Sequence, residues 1–171
     1  MKNTIKFLGI AIIMIGFSTS TFAQATASAT GTATIVAPIA IVNAADMNFG
    51  NVAVIAAGTV VLAPAGTRTE TGGVTLPVTT GTVTAASFNV TGEGVYTYAI
   101  TLPSTDYTIT ETIGSIETMI VNTFTSTPSG TGALTAGAQT LNVGATLNVG
   151  AAQLAGVYTN ATGFDVTVNY N

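Results

Sequence analysis

From Ala25 to Ile41 the odd positions are all small or apolar: Ala25, Ala27, Ala29, Gly31, Ala33, Ile35, Ala37, Ile39 and Ile41. The even positions from Thr26 to Thr34 are all Thr or Ser. A repeat of two is the alternation of an extended strand, whereas a helix repeats every 3.6 residues. The run is far longer than an ordinary strand of about 5–6 residues, so it divides. Thr34 to Val42 is expected as the first strand of a domain, and Gln24 to Ala33 as an extended arm. Pro38 has no N–H to donate, which favours a sheet edge or a break at that point.

Further strands are expected along the chain, with turn residues between them. Met47 to Val54 is one, and Thr59 to Ala63 precedes a polar loop from Pro64 to Gly73. Val74 to Leu76 is short and stops at Pro77, and Thr82 to Thr91 changes its apolar face, which predicts a bulge near Ala85 and Ala86. After the Gly92-Glu93-Gly94 turn, Val95 to Leu102 places Tyr96, Tyr98, Ile100 and Leu102 on one face. Tyr107 to Thr112 and Glu117 to Thr125 form a hairpin around Gly114, followed by a loop from Ser126 to Gly137. Gln139 to Val149 alternates without a fault, with Leu141, Val143, Ala145, Leu147 and Val149 inward. Val157 to Thr159 leads to the last strand, where Phe164, Val166, Val168 and Tyr170 alternate. About nine short strands at this spacing, with no sustained helical pattern, predict an all-β, Ig-like antiparallel β-sandwich.

The first residues have another character. Lys2 and Lys6, the apolar run Phe7 to Phe17, and a small, polar tail ending at Ala23 read as a secretory signal peptide. The expected organisation is a signal peptide over 1–23, an arm over 24–33 and a sandwich over 34–171. The expected location is therefore periplasmic, cell-surface or extracellular, with no membrane insertion of the mature chain.

Composition narrows the chemistry. The chain has no Cys, His or Trp, and beyond the leader its only cation is Arg68. Removing the two leader lysines takes the formal net charge from −4 to −6. Without His, Cys or Lys, a nucleophile has no ordinary activating base and a transition metal no ordinary ligand set. The acids Asp46, Glu70, Glu93, Asp106, Glu111, Glu117 and Asp165 are scattered singly. No enzyme, no cofactor and no metal site is expected, nor a basic footprint for nucleic acid. With no disulfide available, stability must come from burial and backbone pairing. Only 6% of residues are charged, fewer than usually keep monomers apart.

The two ends of the chain then read as complements. The bulky alternation up to Tyr170 is an aggregating edge unless something pairs with it. The arm, with Ala25, Ala27, Ala29, Gly31 and Ala33 on one face, is a strand able to add to an exposed edge. Phe164, Val166, Val168 and Tyr170 are accordingly the candidate assembly strand, with an ordinary strand paired inside its own sandwich as the equal alternative, and the five arm residues are the candidate strand donor, with a plain disordered terminus as the alternative.

The segment from Leu147 through Ala155-Gly156-Val157-Tyr158 to Phe164-Asp165-Val166-Thr167-Val168-Asn169-Tyr170 resembles the closing strands of pilin subunits. These include chaperone–usher fimbrial subunits and spore coat protein U-like domains. More closely, Asn48-Phe49-Gly50 and the Thr71 to Pro77 stretch resemble a bacterial secreted family described as domain of unknown function 4402. The resemblance implies a pilin-like sandwich that serves as a structural subunit of a surface filament, pilus or matrix. Its partners would be copies of itself or a periplasmic assembly factor. The alternative is a monomeric surface adhesin that binds through the loops at Pro64 to Gly73 or Ser126 to Gly137.

Overall fold

The computed structural model describes residues 23–114 and 117–171. The chain divides into two units, residues 1–34 and Ile35–Asn171. Of the first unit, residues 23–34 are all exposed and carry no strand or turn. The signal-peptide reading falls on residues outside the described part, apart from Ala23. Among the described residues no helix is long and apolar enough to cross a membrane.

The second unit is an antiparallel β-sandwich. Its strands are β1 (Ala40–Ala45), β2 (Ala53–Leu62), β3 (Arg68–Thr75), β4 (Ala86–Thr91), β5 (Thr97–Thr101) and β6 (Tyr107–Glu111). There follow β7 (Thr118–Thr127), β8 (Thr131–Ala133), β9 (Ala138–Val149), β10 (Tyr158–Thr159) and β11 (Thr167–Tyr170). The large sheet runs β1-β4-β9-β7-β6-β10, with β2 also on β9 and β3 on β2, and the small sheet runs β11-β5-β8.

Strand β9 is the spine. Its first half pairs with β4, from Ala138↔Thr91 to Val143↔Ala86, and its second half with β2, from Ala145↔Leu62 to Val149↔Gly58. Along its other edge it pairs with β7. The partner changes at Gly144, where an added Cβ would overlap the carbonyl oxygen of Leu62. A side chain there would push out the end of β2, so the fork requires glycine. The alternation expected for this strand is present: Leu141, Val143, Ala145, Leu147 and Val149 are all buried.

The core has two parts. In one, Ala86, Val90, Leu141 and Val143 of the large sheet meet Tyr98, Leu134 and Val168 from the small sheet and its flank. In the other, Val60, Val74, Val121, Ala145, Leu147 and Val149 all come from the large sheet, which curls over them. Phe49, Val52 and Leu76 pack on this second cluster, and Met47 and Phe124 pack on both. Each fully buried Val or Leu contributes roughly 1.5–3 kcal/mol, and with no disulfide this burial carries the fold.

Several boundaries differ from expectation. The first strand begins at Ala40, not Thr34, because Pro38 has no donor and restricts the residue before it. The expected strand at Met47 to Val54 is mostly a connection, with one bridge at Asn48↔Thr84 and a turn at Gly50, whose φ is 67°. Arg68, the lone cation after Lys6, donates from Nη1 to the carbonyls of Phe49 and Asn51 and so holds this turn over the core. The polar stretch Arg68 to Gly73 is not a loop but most of β3, an edge strand whose polar side chains meet solvent. Within the expected loop Ser126 to Gly137, Thr131–Ala133 forms β8 against β5. The irregularity opposite β4 lies on β1, between Asn43 and Ala45, rather than at Ala85 and Ala86. The expected hairpin of β6 and β7 is present.

A Gly144→Ala change should destabilise the domain by about 2–4 kcal/mol, measured by urea unfolding. Gly31→Ala, which meets nothing within 4 Å, should shift the midpoint by no more than about 0.5 kcal/mol. Equal effects at the two positions would contradict the fork.

Candidate functional site

The predicted assembly strand is an ordinary member of its own sandwich. Strand β11 pairs with β5 from Thr167↔Thr101 to Tyr170↔Tyr98. All four of its predicted residues pack against the first core. Phe164, just ahead of the strand, stacks edge-on against Phe88 and Tyr107 at 6.4 and 5.7 Å and tilts against Phe124 at 4.9 Å. Val168 is buried, and the Tyr170 ring lies 5.5 Å from that of Tyr96. The apolar side chains are therefore used internally, and what remains to offer is backbone.

Strand β11 lies at the end of the small sheet, with β5 on one side only. Asn171 N–H donates to the Thr97 carbonyl at 3.3 Å, and Ile100 N–H turns the other way, to the Gly130 carbonyl at 2.8 Å. Antiparallel ladders alternate, so Val168, opposite Ile100, and Tyr170, two residues on, direct N–H and C=O away from β5. The open edge of β11 thus carries the backbone groups of the residues whose side chains fill the core.

Other edges are protected in the ways sheet proteins use. Strand β3 carries Arg68 and Glu70 and the close-packed Gly72 and Gly73, and β8 and β10 are very short. Among the described strands, two edges lack such protection: β1 and β11, with no charged residue in either. They are neighbours in space, since β1 contacts β11 and Ile39 and Ile41 pack into the same core cluster as Val168.

The seam is closed at one point. Tyr170 donates its hydroxyl proton to the Ala37 carbonyl at 3.0 Å and accepts from Glu93 N–H at 2.6 Å. Ala37 N–H in turn donates to Glu93 Oε2 at 3.0 Å. Gly92 is required beside this ring, because a Cβ there would overlap the Tyr170 hydroxyl. In the sequence Gly92-Glu93-Gly94 reads as a turn and Tyr170 as an apolar position, with nothing to mark Ala37 or Glu93. The available signal was the phenol itself, since a part-buried Tyr O–H finds a partner.

The arm residues Ala25, Ala27, Ala29, Gly31 and Ala33 are all exposed and unpaired as strand. Elsewhere, a cleft of about 360 Å³ lies between Leu102–Tyr107 and Gly163–Asp165, with Asp106 and Asp165 in its lining. Among the described residues no three His, Cys, Asp or Glu side chains are grouped to hold a metal.

The geometry defines an antiparallel β-sandwich with one unprotected seam. The chain belongs to the family described as Domain of unknown function (DUF4402), whose model matches residues 39–170. No curated protein and no solved structure matches it.

Beneath the seam, Tyr98 donates to Gln139 Oε1 at 2.7 Å, which also accepts from Ala133 N–H at 2.9 Å. Burial pushes the Tyr98 phenol above its ordinary 10.0. It does the same at Tyr107, where a backbone hydrogen bond from Gly163 acts the other way and the charge of Asp46 adds to the rise. The folded state thus holds both protons more tightly than the unfolded chain. Stability is complete below about pH 10 and falls as pH rises through the raised values. Urea midpoints measured between about pH 8 and 11 should show this fall, and Tyr98→Phe should make it shallower. A midpoint flat to the alkaline limit would contradict the assignment.

Proposed function

We propose that this chain is a secreted, non-catalytic structural subunit of a cell-surface filament, pilus or matrix, assembling by β-strand addition. The reading rests on one observation above the others. Among the described strands, the uncharged edges β1 and β11 lie together, and the same chain carries an exposed, unpaired segment with strand alternation at Gln24 to Ala33. An extended segment meeting an open edge gains main-chain hydrogen bonds, and alternate side chains set its register. Donor and acceptor on one chain make a heterologous contact, which propagates into a fibre when it does not close. Small residues suit the donor: Ala25, Ala27, Ala29 and Gly31 can lie against a strand whose side chains already fill its own core, although each buries little area. The pilin-like relationship belongs to this proposal, as do export through the 1–23 leader and a periplasmic assembly factor.

Deleting Gln24 to Ala33 should leave a folded domain, because all described strands and both core clusters lie within Ile35–Asn171. Sedimentation should find the truncated chain monomeric at concentrations where the mature chain polymerises. Polymers of the truncated chain would contradict the role of the arm, and a mature chain that stays monomeric would favour the adhesin reading.

A further inference from the structure

Beyond Lys6 the chain has one cation, Arg68, against seven carboxylates. Arg68 opens β3 opposite Leu62, and it is part-buried. Its Nη1 donates to the carbonyls of Phe49 and Asn51, the second at 2.9 Å. Carbonyls satisfy hydrogen bonds but carry no net charge. Among the described residues no carboxylate pairs with this guanidinium, and Nε and Nη2 make no hydrogen bond. A charge partly removed from water is costly until a counter-ion joins it. The same side chain lines a cleft of about 410 Å³, together with Gly66, Thr80 and the apolar Leu76, Pro77 and Val83. That volume suits a small ligand. The cleft is also held in shape. Asn51 N–H donates to the Thr80 carbonyl at 2.7 Å, and the Asn51 side chain to the Thr79 carbonyl at 3.0 Å. The turn that Arg68 grips is thus tied to the loop lining the cleft, and a preformed site loses little freedom on binding.

We infer that the Arg68 cleft is a binding site for an aliphatic carboxylate, its charged end on the guanidinium and its stem along Leu76, Pro77 and Val83. The N–H groups of Nε and Nη2 form a planar fork that matches the two oxygens of a carboxylate. One positive charge in so acidic a domain suits a monoanion, because the second charge of a phosphate would meet no partner. The apolar walls point the same way, since an inorganic anion has no stem to bury against them. Two sources carry this chemistry: a free short-chain organic acid, and an Asp or Glu side chain of a second copy. The site does not depend on strand addition, because β3 and the Leu76–Val83 stretch lie apart from the β1 and β11 edges in the strand order.

Arg68 is the only arginine in the chain, so a heteronuclear NMR spectrum carries a single arginine Nε–H signal that reports on the site directly. The test uses the Ile35–Asn171 domain, which holds every described strand and both core clusters. Sodium acetate, butyrate and hexanoate, titrated at constant ionic strength, should move this signal to saturation. Each methylene buried should tighten binding about fourfold, and inorganic phosphate should leave the signal in place. Val83→Thr, which sets a hydroxyl in the apolar wall, should remove much of the gain from chain length and leave acetate affinity within about twofold of wild type. A signal that also moves with protein concentration alone assigns the carboxylate to a second copy, and hexanoate should then compete with it. A signal that moves only with added acid assigns it to a free ligand. A signal unmoved by hexanoate and by protein concentration would overturn the site. Equal movement by phosphate, or one affinity for all three acids, would overturn its assignment to aliphatic carboxylates.

Discussion

The fold depends on the sharing of β9. One edge of this strand is taken by β7, and the other is divided between β4 and β2 at Gly144. Dividing an edge lets one branch, β4 with β1, face the small sheet while the other, β2 with β3, curls over a second cluster of valines and leucines. The chain has no Cys, so no covalent bond ties these branches together. Backbone pairing along β9 and the burial of its inward residues do that work, and Phe124 and Met47, which touch both clusters, make the two parts one core.

A forked sheet leaves more edges than a closed one, and each edge is a hazard unless it is dealt with. The chain treats them unequally. Charge and glycine guard β3, and brevity guards β8 and β10. Strands β1 and β11 carry no charge, and three hydrogen bonds linking Ala37, Glu93 and Tyr170 tie the chain ahead of β1 to the last side chain of β11.

Much of this was legible in the sequence, where side-chain alternation reports burial directly. Alternation alone puts Leu141 to Val149 on an inward face, and it shows that Phe164, Val166, Val168 and Tyr170 share one face while leaving open whether that face meets its own core or a partner. The strands that were missed had no such pattern to show. Arg68 to Gly73 is polar throughout because both its free edge and much of its surface meet water. Thr131–Ala133 is too short for alternation to register. Pro38 predicts an edge or a break, and both descriptions hold, since β1 is an edge strand that begins after it. The hydrogen-bonded ring of Ala37, Glu93 and Tyr170 is invisible for a deeper reason. It joins residues far apart in sequence through backbone groups of Ala37, and a backbone group carries no sequence signature.

On the proposed reading, the seam between β1 and β11 makes this domain a self-assembling subunit. Electron microscopy of the purified chain starting at Gln24, imaged after concentration and incubation, tests it most directly. Filaments of uniform width are the predicted result. A field of separate single-domain particles under every condition in which the chain stays folded would contradict it.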